Sequence, residues 1–217
     1  MADTLRYLPF GADDSMPVGV YRMRTSSKET SHYQAQMTIA ITIDCNAWND
    51  FFNSGMDLVA ELPPGDFSLF MPREIEIEIQ AIPDVSKDGC SNRALKDYIY
   101  DTIARHSVTT VGYFGFAEAD CYLGFNQGTF MSDNERNWYA TEIPKRVLGK
   151  KRTGSDLPKN MADTAVAASS FYTVILTADS KPGPIKDAYK AGGKVIYLKD
   201  FHAQTLSLRD FIKAQLP

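Results

Sequence analysis

Short apolar, β-branched runs, each followed by a helical stretch, constrain the fold of this 217-residue chain most strongly. The run TIAITI leads directly to Asp44, FSLFM follows it along the chain, and the C-terminal third contains TVILTAD and KVIYL. Runs of this length and composition are typical of strands that are buried on both faces of a sheet. Strands that alternate with helices predict an α/β fold, a three-layer α/β/α sandwich with a central, mostly parallel sheet.

The length of the chain favours one domain, because 217 residues can form a full core but are few for two cores. Residues 1–36 are rich in Ser, Thr and Pro without a sustained helical period, so we expect an N-terminal extension before a domain at 37–217. The apolar runs are strand-sized, and the first residues contain neither a basic leader nor a long apolar run. We therefore expect a cytoplasmic protein with no membrane segment.

Charge and cysteine content exclude several classes. The formal net charge is -4, which is unlike a general nucleic-acid binder. The three cysteines have neither the close spacing of a zinc site nor the even count of a disulfide framework, so reduced and mostly buried thiols are expected.

One local segment is strongly basic. Between residues 145 and 159 six cations stand against a single acid, Asp156. The segment is a candidate phosphate-contacting loop, and a solvated charged linker is an equally good interpretation. The candidate nucleic-acid-binding residues are Lys145, Arg146, Lys150, Lys151 and Arg152.

Four acidic residues predict a metal site. Asp44 and Asp179 each follow an apolar strand-like run, whereas Glu78 and Asp163 lie in stretches with helical spacing. In an open parallel sheet, ligands bind beyond the carboxyl ends of the strands, so acids from distant segments can share one cleft. Clustered carboxylates require a hard cation between them, and oxygen ligands suit Mg²⁺ or Mn²⁺. Asn46 and Thr177 lie near two of these acids and could orient a carboxylate or contact a phosphate.

Each acid also has an ordinary structural interpretation. Asp44 could cap the following helix, Asp163 could favour a helix start, and Asp179 could stabilise a turn. Glu74 or Glu76 could face the cleft in place of Glu78. Asp156 is an alternative to Asp163.

Four segments together resemble the PIN-domain nuclease family. ITIDCNAWNDFF is similar to its opening strand and helix, MPREIEIEI to the following Pro-x-x-apolar-x-x-Glu pattern, and DTAVAASSFYTVILTADS to its third and fourth acidic segments. AYKAGGKVIYL resembles the last helix, glycine turn and strand of the family. The resemblance covers roughly residue 37 to the C-terminus, with an insertion around 108–159.

This resemblance implies a metal-dependent endoribonuclease that hydrolyses RNA with Mg²⁺ or Mn²⁺. It assigns catalysis and metal binding to Asp44, Glu78, Asp163 and Asp179. Because the family includes toxins that are neutralised by antitoxins, it also implies an antitoxin-like protein partner or a homodimer. The alternative is a catalytically inactive PIN-like module that binds RNA or protein.

Overall fold

A computed structural model of the chain describes residues 38–113, 128–129, 131–146, 157–158 and 160–216. The predicted N-terminal extension at 1–36 lies outside the described residues, as does much of the predicted insertion around 108–159. The single-domain organisation therefore stays a prediction.

The protein is a three-layer α/β/α sandwich around a parallel sheet, which confirms the predicted fold class. The described strands are β1 (Ile39–Ile43), β2 (Phe67–Pro72), β3 (Thr109–Tyr113), the two-residue β4 (Gly128–Thr129), β5 (Val174–Thr177) and β6 (Val195–Tyr197). Their order in the sheet is β4-β3-β2-β1-β5-β6, and each neighbouring pair is parallel.

The described helices connect and cover these strands. They are α1 (Cys45–Asn53), α2 (Leu58–Glu61), α3 (Arg73–Gln80), α4 (Arg93–His106), α5 (Asp133–Arg146), α6 (Met161–Ser169), α7 (Pro184–Lys190), α8 (Leu198–His202) and α9 (Leu208–Gln215). Within the part of the chain that the structure describes, no helix is both long and apolar enough to span a membrane.

The central strands are buried on both faces, as their continuous apolar sequences require. All four residues of β5 are buried, and Ile41 and Ile43 of β1 have no exposed surface. Trp48 and Phe51 of α1 are also fully buried in the same core cluster. The aromatic stripe of α1 therefore attaches this helix to the sheet directly after β1.

The strand order reverses beside β1. Strands β2, β3 and β4 lie on one side of β1, whereas the chain later returns to place β5 and β6 on the other side. In open α/β sheets, the crevice outside the carboxyl ends of the strands at such a switch point is the usual ligand site. The carboxyl ends of β1 and β5 therefore mark where a site is expected.

The apolar stripe of NAWNDFFNSGMDLVAEL, residues 46–62, predicts one helix, and this prediction is wrong. Helix α1 ends at Asn53, and α2 begins at Leu58. Gly55 adopts a φ of 66°, a conformation that interrupts a right-handed helix and that glycine reaches without strain. Asp57 then starts α2, because its side chain accepts a hydrogen bond from the Val59 amide at 3.0 Å.

Smaller differences concern helix ends and thiol burial. Pro144 predicts an end to the helix in NERNWYATEIPKRVLG, but α5 continues to Arg146, because a proline near the C-terminus removes hydrogen bonding from only the last turns. The spacing of Ser207 and Asp210 predicts a cap for α9, which is confirmed, since the Asp210 amide donates to Ser207 Oγ at 3.1 Å. The expected burial of the thiols is wrong for Cys90, which is exposed, whereas Cys45 is partly buried against the core and Cys121 lies outside the described residues.

Candidate functional site

The backbone places Asp44 between the two strands at the switch point. The residue follows β1 directly, and its amide donates a hydrogen bond to the Leu176 carbonyl of β5 at 3.1 Å. Its side chain accepts a hydrogen bond at Oδ2 from Thr177 Oγ1, the last residue of β5, at 2.7 Å. Asp44 and Thr177 are thus joined at the carboxyl ends of adjacent parallel strands.

The carboxylate of Asp44 is buried and only half satisfied. The residue is 1% exposed, and its Oδ1 atom has no hydrogen-bond partner among the described residues. The side chain also makes no capping hydrogen bond to α1, so the interpretation of Asp44 as a simple helix cap is wrong. A buried carboxylate oxygen without a partner is costly, which is uncommon unless a bound group satisfies it.

Nearby acids make the burial of Asp44 still less favourable for its charged form. Burial, together with the charges of Asp163 and Asp179, raises the pKa of Asp44 to about 6. The Thr177 hydroxyl and the Cys45 amide act in the opposite direction because they stabilise the anion. Asp163 and Asp179 are therefore close enough to Asp44 to affect its ionisation, whereas the assignment of these acids to one site stays a prediction.

Thr177 connects two of these acids. Its hydroxyl donates to Asp44, and it accepts a hydrogen bond from the Asp179 amide at 3.0 Å. The supporting position predicted for Thr177 therefore has a physical basis: one neutral hydroxyl orients the Asp44 carboxylate and the backbone that carries Asp179.

Asp179 also has the structural role that was left open. Its Oδ1 accepts a hydrogen bond from the Lys181 amide at 2.8 Å, which stabilises the turn after β5. The side chain is partly exposed and lines a cleft of about 120 Å³. Asp179 thus stabilises the turn and also lines the cleft.

Asp163 lines the same cleft as Asp179 but belongs to a different segment of the chain, helix α6. It lies in the first turn of α6, where a negative charge interacts favourably with the helix dipole. Asn160, Lys181 and the first residues of α7 complete the cleft wall. The start of α6, the loop after β5 and the start of α7 therefore line one cleft.

The position of Glu78 relative to the other three acids is less closely defined. Glu78 is partly exposed on α3, which packs against α6, so its helix lies beside the helix that carries Asp163. Glu76 forms an ion pair with Arg73 at 2.5 Å within the same helix. The assignment of Glu78 as the fourth acid stays a prediction.

A metal site also stays a prediction. Among the residues that the structure describes, no three His, Cys, Asp or Glu side chains form a group that could hold a metal ion as they stand. The chemistry of the donors nevertheless fits a hard cation, because Asp44 has a buried oxygen without a hydrogen-bond partner and two further carboxylates raise its pKa.

The predicted RNA-contacting residues are mostly untested. Lys145 is exposed and pairs with Glu142 at 3.0 Å. Arg146 ends α5, and Asn46 is exposed at the start of α1. The remaining basic residues, together with the alternative acid Asp156, lie outside the described residues: Lys150, Lys151 and Arg152.

The sequence interpretation missed an aromatic residue next to this site. Tyr197 ends β6 and lies opposite Thr177 in the strand register. Its ring packs edge-on against that of Tyr189, with centroids 5.7 Å apart. The signal was available, because Tyr197 lies near the end of the run KVIYL, as Asp44 lies directly after the end of TIAITI.

The sequence matches no protein-family model, and no curated protein matches it significantly. Because parallel α/β sheets support many unrelated activities, the fold alone does not identify one. The site's own chemistry must therefore support any functional assignment.

Proposed function

We propose that this protein is a metal-dependent ribonuclease of the PIN type that hydrolyses phosphodiester bonds of RNA. The observation that supports the proposal most is the Asp44 carboxylate, buried at the switch point with one unpartnered oxygen beside two other acids. A buried aspartate with a purely structural role is expected to have both carboxylate oxygens satisfied. Buried carboxylates whose pKa is strongly perturbed by desolvation and neighbouring charges are characteristic of functional sites.

In this proposal Asp44, Asp163 and Asp179 hold one or two Mg²⁺ or Mn²⁺ ions, and Glu78 is the fourth ligand. The metal supplies an activated water and neutralises charge on the phosphoryl oxygens. Thr177 keeps Asp44 Oδ2 oriented, so that Oδ1 remains available as a ligand. Because the pKa of Asp44 is about 6, metal binding below that pH must also displace a proton.

The decisive experiment measures cleavage of a mixed single-stranded RNA pool with Mn²⁺ or Mg²⁺, and with EDTA in place of the metal. We expect metal-dependent cleavage, and we expect Asp44→Asn to lower its rate at least about 100-fold, since even residues behind the ligands commonly change activity 10- to 100-fold. The same assay on single-stranded DNA defines the choice between RNA and DNA.

Asp66→Asn is the matched control. Asp66 lies at the opposite edge of the sheet, where its carbonyl accepts from the Ile39 amide and its side chain pairs with Lys213 at 3.3 Å. The chemical change is identical, so this variant should cleave like the wild type. Equal loss in both variants, or cleavage that survives EDTA, would contradict the proposal.

The second candidate is a catalytically inactive PIN-like module that binds RNA or protein. It is favoured by the Lys181 amide, which already engages Asp179 Oδ1 and so leaves that carboxylate less available to a metal. A folded protein that binds RNA, shows no rise in melting temperature with Mn²⁺ and cuts nothing would support this candidate. An antitoxin-like partner or a homodimer belongs to either proposal and is tested by the oligomeric state and by co-purification.

A further inference from the structure

A pair of packed tyrosines, Tyr197 and Tyr189, lies near the strand end that carries Asp179. Tyr197 and Thr177 are register partners on adjacent parallel strands, which lie about 5 Å apart. The pKa of Tyr197 is raised by burial, and the charges of Tyr189 and Asp179 contribute as well. Tyr197 therefore lies beside the segment that carries the acids.

The two tyrosines differ in how accessible they are. Tyr197 packs against the hydrophobic core, and its hydroxyl is buried without a hydrogen-bond partner among the described residues. Tyr189 is 52% exposed and meets the Tyr197 ring at an interplanar angle of 77°. Tyr197 is thus a fixed support, whereas Tyr189 offers an aromatic ring to solvent.

The helix that carries Tyr189 also forms part of the cleft. Pro184 and Ile185 at the start of α7 line the cleft together with Asp163 and Asp179, and both are buried. The exposed ring and the acids are therefore attached to one packed unit.

Two cations flank this pair of tyrosines and the cleft. The Lys199 ammonium lies 5.5 Å from the centroid of the Tyr197 ring, and Lys181 lines the cleft. Both residues are exposed, and neither ammonium makes an ion pair with the residues that the structure describes. Exposed aromatic rings next to lysines are the arrangement with which proteins bind bases and phosphates of unpaired nucleic acid.

We propose that Tyr189, supported by Tyr197 and flanked by Lys199, is a stacking subsite for one unpaired base of single-stranded RNA next to the acidic cleft. The choice of RNA rests on the proposed function, whereas the stacking geometry does not. Paired bases keep their faces inside the duplex, so this subsite selects single strands over duplexes.

The test measures binding without cleavage. Every protein carries Asp44→Asn, EDTA is present, and the probe is a fluorescein-labelled 12-nucleotide RNA, single-stranded or annealed to its complement. We expect Tyr189→Ala to raise the Kd for the single strand at least about fivefold, the lower end of what losing one stacked base causes. Tyr189→Phe should stay within about twofold, since stacking needs the ring and not the hydroxyl.

A matched control and a second readout separate stacking from general damage. Tyr172 is 41% exposed just before β5, at the opposite edge of the sheet, so Tyr172→Ala should leave the Kd unchanged. A 2-aminopurine base in the RNA should lose fluorescence on binding, because stacking quenches it, and Tyr189→Ala should abolish that loss.

The outcomes for the subsite and for the nuclease are distinguishable. An unchanged Kd for Tyr189→Ala, an equal effect on the duplex, or an equal effect of Tyr172→Ala would overturn the subsite even if the wild type cleaves RNA. Binding that depends on Tyr189 in a protein that cuts no RNA would support the subsite and overturn the nuclease. Absence of RNA binding in this metal-free assay would overturn the subsite, whereas the nuclease is decided by the cleavage assay with Mn²⁺ or Mg²⁺.

Discussion

Two aspartates, each directly before a helix, show how differently the two edges of the sheet use the same residue. Asp57 precedes α2, is exposed, caps that helix through the Val59 amide and pairs with Arg105 at 3.1 Å. Asp44 precedes α1 at the carboxyl edge, is buried and makes no capping hydrogen bond. The hydrogen bond and charge of Arg105 lower the pKa of Asp57, whereas burial raises the pKa of Asp44.

The difference teaches that burial, rather than position relative to a helix, decides what such an aspartate does. Ionised Asp57 stabilises the fold, since its charge is solvated, paired and hydrogen-bonded. Ionised Asp44 destabilises it, since its charge is desolvated and faces two other acids. Residues that lower stability in this way are the ones expected at functional sites.

The largest stability effect should come from Asp44→Asn in the metal-free protein. Because the folded state raises the pKa of Asp44 from 3.8 to about 6, it holds the proton more tightly than the unfolded state does. The free energy of unfolding should therefore fall as the pH rises from 4 to 6, by about 3 kcal/mol from this group, and stay lower above pH 6. The asparagine variant lacks this loss and should be the more stable protein at pH 7.

Urea unfolding in EDTA at pH 4, 5, 6 and 7 measures this effect. Other groups titrate in the same range, so the informative quantity is the difference in unfolding free energy between variant and wild type. This difference should increase in favour of Asp44→Asn from pH 4 to pH 6 and then stay constant. A difference that does not change with pH, or a less stable variant at pH 7, would contradict the contrast drawn between Asp44 and Asp57.

The next effect concerns a turn at the amino edge, where changes should only destabilise. A Cβ at Gly193 would collide with Ser170 Oγ and lie 3.0 Å from the Ala188 carbonyl oxygen. Gly193→Ala should therefore lower the unfolding free energy by about 2 kcal/mol, as overpacking commonly does. Thermal and urea unfolding check this value.

Gly65→Ala is the control for Gly193→Ala. Nothing lies within 4 Å of a Cβ at Gly65, and its φ is not in the left-handed region. This variant should unfold like the wild type. If both alanine variants lost the same stability, loop flexibility would explain the result and the contact with Ser170 would not.

The smallest effect should come from Asp57→Ala, and its sign should be opposite to that of Asp44→Asn. Loss of a capping side chain costs about 1 kcal/mol, and the exposed pair with Arg105 adds little. Because the pKa of Asp57 is lowered, its contribution should be present near neutral pH and fade on acidification. Urea unfolding at pH 7 and pH 3 measures both statements, and a stability gain at pH 7 would contradict them.

The sequence predicted the parallel sheet because strands buried on both faces are mainly apolar, and β1 and β5 each contain only one polar residue, a threonine. It could not place the helix break at Gly55, because the apolar stripe continues across the gap into α2. Helical spacing reports which residues face the core and not whether the backbone between them stays helical.

For the site, strand ends were more informative than helix faces, although Asp163 of α6 also raises the pKa of Asp44. Asp44 and Asp179 were predicted from apolar runs that end in an acid, and they do interact electrostatically. Glu78 and Glu76 lie two residues apart on α3, and their orientation depends on how α3 packs against α6. Whether Asp44 caps α1 depended on burial, which a single sequence does not specify.

The strand order has a consequence for how the protein is made. Thr42 of β1 and Thr173 beside β5 share a hydrogen bond although they are 131 residues apart in the sequence. Strand β1 therefore cannot pair with β5 until most of the chain has been synthesised. At ribosomal rates this delay is on the order of ten seconds. During that time a nascent chain has Asp44 but lacks Thr177 and Asp179, and the cleft forms only when translation supplies β5.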